Sequence, residues 1–369
     1  MKNRFLLFFS ILIVFSLVSC DKDTPEMKEE MEEVIETYFP PIDGSTWSTT
    51  SPSSLGWDLD ELEATLDFLE EKGTRAFIII KDGKIVTENY WGTTLVSGET
   101  FTQESNWYWA SAGKSLMSTL IGIAQAEGLL SINDKTSDYL GQGWTSLTAE
   151  QEDKIKISHQ LTMTTGLDYE VADINCTDPS CLTYSVDAGN QWYYHNGPYT
   201  LLKDVLTSAT GVNQNAYTQS VIGNKIGMSG LWIETDINLF WSTARDMARF
   251  GLLILNEGVW DETTVVPDMD YLIDMTSSSQ DLNPAYGYLW WLNGQSSIVY
   301  PGLPTSFNTT LSPSAPDVLY AAIGKNGQII DVIPSENMVV IRMGEAPDSS
   351  LVPTDFHNEM WEYLMETMN

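Results

Sequence analysis

The chain has 369 residues and carries 51 acidic side chains against 18 lysines and arginines, a formal net charge of −33. A nucleic-acid binder needs clustered Lys and Arg to displace phosphate counterions, and an anionic lipid surface repels such a chain, so both are excluded as partners. His159, His195 and His357 are too scattered for a ligand set and no glycine-rich nucleotide loop is present, so neither a metal nor a cofactor is expected.

Residues 1–19 read as a secretion signal. Lys2 and Arg4 precede a nearly all-apolar run from Phe5 to Val18, too short for a stable membrane span. Leu17-Val18-Ser19-Cys20 resembles a bacterial lipobox, which implies lipidation of Cys20 and a place in the cell envelope. Contact with the membrane would then run through the N-terminal lipid only, on the periplasmic, outer-membrane or cell-surface side. Residues 20–54 read as a tether: Asp21–Glu36 holds eight acids and two lysines, and Pro40-Pro41 and a Ser/Thr-rich run follow. Such a composition buries too little apolar area to offset its ordering entropy. The folded domain is therefore expected over 55–369.

Asp58–Lys72 has Leu59, Leu62, Leu66 and Leu69 on one helical face. Ala76–Ile80 and Ile85–Trp91 read as strands joined through Lys81-Asp82-Gly83-Lys84, a hairpin signal. Ser111–Glu127 reads as a helix capped by Gly128, and the signals stay mostly helical to about Met275. Within that stretch Ser242 is placed to cap a helix running to Asn256. Strands return near Leu289, Val318, Gln328 and Val339, and Pro353–Met368 closes the chain as a helix. Strands at both ends with helices between predict an α+β fold. One antiparallel sheet flanked by helices is built from about 55–110 and 285–369, with a mostly helical insertion over about 111–284.

The chemistry starts at Ser111-Ala112-Gly113-Lys114. A serine and a lysine three apart at a helix start share one face, a turn apart. The hydroxyl needs a base beside it, and the amine can serve once burial lowers its pKa. Tyr194-His195-Asn196 holds the one Tyr-x-Asn of the chain. Its phenol could exchange a proton with Ser111, and the Asn196 amide could orient a substrate carbonyl or Lys114. Alternation along the segment turns His195 away from that face. Lys325-Asn326-Gly327 follows one strand-like run and opens another, and Gly327 would let a substrate backbone approach a strand edge. Tyr108, Trp109 and Trp192 flank these motifs as candidate walls of an apolar acyl pocket. Arg245 and Arg249 read as structural pairs on their helix. Cys176 and Cys181 flank a turn-rich loop and are expected to pair in an oxidising compartment.

With these motifs, the chain resembles the class C β-lactamase-related serine hydrolases, from about Leu55 to the C-terminus. That family includes penicillin-binding D,D-peptidases, esterases and 6-aminohexanoate-dimer hydrolases. Three further stretches carry the resemblance: His159–Leu167, Ser242–Gly251 and Tyr286-Gly287-Tyr288-Leu289-Trp290-Trp291. The last two are most similar to the esterase and nylon-oligomer branch, in which many members have His or Trp where this chain has Lys325. The resemblance implies a β-lactamase/transpeptidase-like fold with the active site between its two parts. It also implies Ser111 as nucleophile, Lys114 and Tyr194 sharing the proton work, and Lys325 keeping the local field positive. An oxyanion hole of the Ser111 and Gln328 backbone N–H groups follows from the same pattern. The expected substrate is a small ester or linear amide. A β-lactam or D-Ala-D-Ala peptide is the alternative that Lys325 favours, and a penicillin- or cell-wall-binding lipoprotein that never turns over is the other.

Overall fold

The computed structural model describes residues 37–234 and 237–369, so the signal segment, Cys20 and the acidic run to residue 36 lie outside the described residues. In chain order, the elements that bear on the site begin with α1 (Leu59–Glu71), β1 (Thr74–Lys81), β2 (Lys84–Tyr90), β3 (Trp107–Tyr108) and α2 (Gly113–Ala126). Next come α3 (Asn196–Thr200), β4 (Leu231–Glu234), β5 (Asn238–Ser242) and α4 (Ala244–Leu255). The last are β6 (Trp291–Leu292), β7 (Tyr320–Gly324), β8 (Gln328–Ile333), β9 (Met338–Gly344) and α5 (Thr354–Met368).

Six strands form an antiparallel sheet in the order β2-β1-β9-β8-β7-β6. The N-terminal hairpin thus pairs with the C-terminal strands, Ile78 opposite Ile341 and Ile341 opposite Ile330. Every residue of β8 and β9 is buried. A strand covered on both faces reads as a continuous apolar run rather than an alternating one. α1 and α5 pack together, with Phe68 stacked on Tyr363 at 4.4 Å between ring centroids. α4 presses on the sheet at Gly251, where a Cβ would come within 2.6 Å of Val339 Cγ1. The Asp331 carboxylate, fully buried on β8, accepts from the His357 ring at 2.9 Å and from the Trp361 indole at 2.8 Å, tying α5 to the sheet.

Two expectations need correction and one needs detail. Residues from Tyr38 on are already bonded to the folded domain, which does not wait for residue 55. Trp47 is buried and its indole donates to Gly83 O at 2.7 Å, while Tyr38 N bonds Asp82 O and Thr50 N bonds Ile85 O. Aromatic anchors thus fasten a stretch whose bulk composition reads as a tether. The mostly helical part expected over 111–284 also holds two strands, β4 and β5, which join β3 in a second, three-stranded sheet. Trp232 and Phe240 supply its apolar face. Finally, Thr243 rather than Ser242 caps α4, through a capping box with Asp246.

Candidate active site

Ser111 stands on the turn Ala110–Ala112 that leads into α2. Ala110 has φ +48, a left-handed conformation rare for alanine, and it swings the chain so that Ser111 opens on a cavity of about 490 Å³. The preceding residue holds that turn in place. Trp109 is fully buried, its backbone N–H bonds Phe240 O, and its indole donates to Ser242 Oγ at 2.8 Å. Trp109 is therefore an anchor in the core, not the substrate wall expected from sequence. Trp192 is corrected in the same way: it is buried against Tyr286 and Trp291 and does not line the cavity. Tyr108 does line it.

Lys114, the second residue of α2 and one turn beyond Ser111, is buried, and its Nζ donates to Ser111 Oγ at 3.2 Å. Burial lowers its pKa from 10.5 to about 7, and no neighbouring charge opposes the shift. The ammonium site lies 4.1 Å from the Tyr199 ring centroid and 5.1 Å from that of Tyr194. Tyr194 sits just before α3. Burial pushes its phenol up, while hydrogen bonding to the hydroxyls of Ser111 and Tyr286 pulls it back. Ser111, Lys114 and Tyr194 thus form one contiguous group.

Asn196, the first residue of α3, lines the cavity. Its Nδ2 donates to Asn175 Oδ1 at 2.8 Å, which leaves Oδ1 buried without a partner among the described residues. Asn175 immediately precedes Cys176, which forms the expected disulfide with Cys181. The segment leading into the disulfide is the cavity wall on this side: Ala172, Ile174 and Asn175 line it, and Gly197 N bonds Ile174 O at 2.9 Å. His195 is buried and outside the cavity wall, with burial lowering its pKa to about 4.

The third motif is placed differently from the expectation. Lys325 lines the cavity and is exposed, with no ion-pair partner among the described residues. Gly327, however, turns its missing side chain toward Arg342, where a Cβ would lie 2.6 Å from Nη1; it does not admit a substrate backbone. The glycine that lets a strand approach the Ser111 turn is Gly324, whose Cβ would lie 2.5 Å from Trp109 O and 3.0 Å from Ala112 N. Gln328 is fully buried, off the cavity wall, with its side chain bonded to both the N–H and the C=O of Gly344. Lys325 follows Gly324 directly, at the end of β7 that meets the Trp109–Ala112 turn.

Sequence reasoning missed Tyr199, Tyr286, Gly324 and Asn175. Tyr286 stood in a quoted motif without a role, and Gly324 stood beside one. Tyr199 and Asn175 carry no local signal.

Residues 67–355 match the family model described as Beta-lactamase. Over 313 aligned residues the chain is 24% identical to an uncharacterised protein of Alkalihalophilus pseudofirmus, covering 76% of this chain and 86% of that protein. A solved structure assigned as a 6-aminohexanoate-dimer hydrolase from Bacillus anthracis has a TM-score of 0.64 over 89% of each chain, at 16% identity. A penicillin-binding protein homologue from Caulobacter crescentus has a TM-score of 0.64 at 12% identity, over 84% of this chain and 98% of that one. At such identities the likeness is one of fold, and it bears out the expected architecture.

Proposed function

The chain belongs to the beta-lactamase family, and from that premise we propose that it is a serine hydrolase cleaving a small ester or short linear amide through an acyl-enzyme on Ser111. The observation that carries this reading is a buried lysine, tuned to about 7, with its Nζ 3.2 Å from the Ser111 hydroxyl. A base of that pKa is half neutral at pH 7 and sits within reach of the proton it must take.

In this mechanism Lys114 takes the Ser111 proton as Oγ attacks the carbonyl carbon. The N–H groups of Ser111 and Lys325 receive the developing oxyanion, the second replacing Gln328. The tetrahedral intermediate collapses, and the leaving group departs with a proton passed through Lys114 and Tyr194. Water, activated by the same pair, then releases the acid. The free Asn196 Oδ1 suits an N–H of the substrate.

The walls support the choice of substrate. Tyr169 and Tyr193 stack at 3.8 Å on one side, and Val171, Ile237, Leu239 and Val352 add apolar surface. One observation favours a second reading: the Lys325 ammonium at the cavity, unpaired among the described residues, would hold the carboxylate of a penicillin or a D-Ala-D-Ala peptide. A panel of short p-nitrophenyl esters, nitrocefin, a D-Ala-D-Ala peptide and a 6-aminohexanoate dimer separates the two. We expect turnover of esters or the linear amide with little of nitrocefin. Fast nitrocefin hydrolysis with background ester turnover would make the protein a β-lactamase. Lipidation at Cys20 and a cell-envelope location belong to the same proposal, and release of the Cys20→Ser protein from the membrane fraction is their test.

A further inference from the structure

Arg342 on β9 is fully buried and forms no ion pair among the described residues. A guanidinium has five N–H donors, and here each meets a neutral oxygen. Nε donates to Thr74 Oγ1 at 3.1 Å. Nη1 donates to Asn326 O at 2.7 Å and Gly327 O at 2.8 Å. Nη2 donates to Lys72 O at 3.0 Å and Glu345 O at 3.1 Å. The Phe356 ring covers the group, 4.8 Å from its centroid. Burying an unpaired cation is costly, and five oriented dipoles are what offsets it here. An apolar side chain would fill this space at lower cost, which points to a task for the charge.

The β7–β8 turn shows the task. Asn326 O accepts from Arg342, and the N–H at the other end of that same peptide, Gly327 N, donates to Gly324 O at 3.1 Å. Gly324 O in turn belongs to the peptide whose N–H is that of Lys325. The described chain has no cis peptide bonds, so each C=O points opposite to its own N–H. Two peptide dipoles therefore line up head to tail from the guanidinium to the Lys325 N–H. That N–H lies past the last β7–β8 ladder pair, Gly324 with Gln328, and β6 on the other side reaches only to Ala321. Gly324, whose C=O shares that peptide, presses against the 109–112 turn. Hydrogen bonds in such a chain polarise one another. The Asn326 side chain adds a second tie, donating to the Tyr108 hydroxyl at 2.7 Å on the cavity wall.

We infer that Arg342 is a positioning residue for hydrolysis: through the Asn326–Gly327 and Gly324–Lys325 peptides it orients and polarises the Lys325 N–H that receives the oxyanion. The inference rests on the acyl-enzyme reading above.

The test compares wild type with Arg342→Lys in the full chain. Lysine keeps the cation but cannot grip both turn carbonyls with a planar fork. We expect a cooperative melt, kcat on p-nitrophenyl butyrate lower by about 10²-fold, and KM within about threefold. Labelling of Ser111 by a fluorophosphonate, which forms a tetrahedral adduct in the same hole, should slow in parallel. The acid limb of the pH profile should not move, because Lys114 is untouched; a general loosening of the site would shift it. A folded Arg342→Lys with wild-type kcat and labelling rate overturns the inference. Should that variant fail to fold, Thr74→Val, nearly isosteric, frees Nε alone. It should lower kcat by about three- to tenfold, and wild-type kcat would overturn the inference. Wild type that is neither labelled nor active would instead sink the acyl-enzyme reading, and this inference with it.

Discussion

Replacing Lys114 by methionine should abolish activity and stabilise the protein. Methionine keeps the length and flexibility of the stem and removes the amine. The fall in pKa from 10.5 to about 7 corresponds to roughly 5 kcal/mol favouring the neutral amine in the folded state. At pH 7 folding must either take that proton off or bury the cation, at a cost of about 4–5 kcal/mol. The Tyr194 and Tyr199 rings return about 0.5–2 kcal/mol to the cation, too little to change the sign. Lys114→Met should therefore gain about 2–4 kcal/mol at pH 7. The folded pKa lies below the unfolded one, so between pH 7 and 10.5 the unfolded chain holds the extra proton. Wild-type stability from this group rises with pH across that window. The gap between the two proteins should be largest at and below pH 7 and should narrow toward pH 10. Urea unfolding of both proteins at pH 6, 7, 8 and 9 measures it. A variant less stable than wild type at pH 7, or a gap that does not change with pH, would refute the reasoning that this lysine is held as a strained, near-neutral base.

Two further outcomes follow from the walls of the site. Cys176→Ser with Cys181→Ser should lose only about 2 kcal/mol of stability, because the closed loop is short, yet kcat/KM should fall about three- to thirtyfold as Asn175 loosens its hold on Asn196. Dithiothreitol should do the same to wild type and nothing to the double variant; equal activity in all samples would deny the loop a role in the site. Gly324→Ala puts a methyl group 2.5 Å from Trp109 O, so β7 must retreat from Ser111 and kcat should drop at least about 10²-fold in a protein that still melts cooperatively. Retained activity would show that the close approach of β7 to the Ser111 turn is not needed.

The proposed nucleophile and base were legible because their geometry is local. Three residues on a helix start fix the relation of Ser111 to Lys114, whatever the rest of the fold does. The sheet was legible in outline for a similar reason: Ile329–Ile333, interrupted only by Asp331, and Val339–Ile341 are the β-branched runs expected of a buried strand. What escaped was decided at long range. Gly324 and Gly327 lie three apart in one turn, and nothing nearby says which of them faces Ser111. The answer comes from Trp109 on one side and from Arg342 on the other. Trp109 and Trp192 read as pocket walls because aromatics beside a motif look alike whether they face in or out. The second sheet hid in short segments whose pairing partner, Trp107–Tyr108, lies over a hundred residues away. Residues 37–54 misled by composition, since a few aromatic anchors outweigh a polar majority.

The central claim is that Ser111 is acylated with Lys114 as its base, and peptide mapping by mass spectrometry after fluorophosphonate treatment tests it most directly. Ser111 Oγ should displace fluoride and carry the phosphonyl group. The labelling rate should rise through pH 7 and collapse in Lys114→Met, and Ser111→Ala should remain unlabelled. An adduct on any other residue, or Ser111→Ala labelled as fast as wild type, would contradict the account.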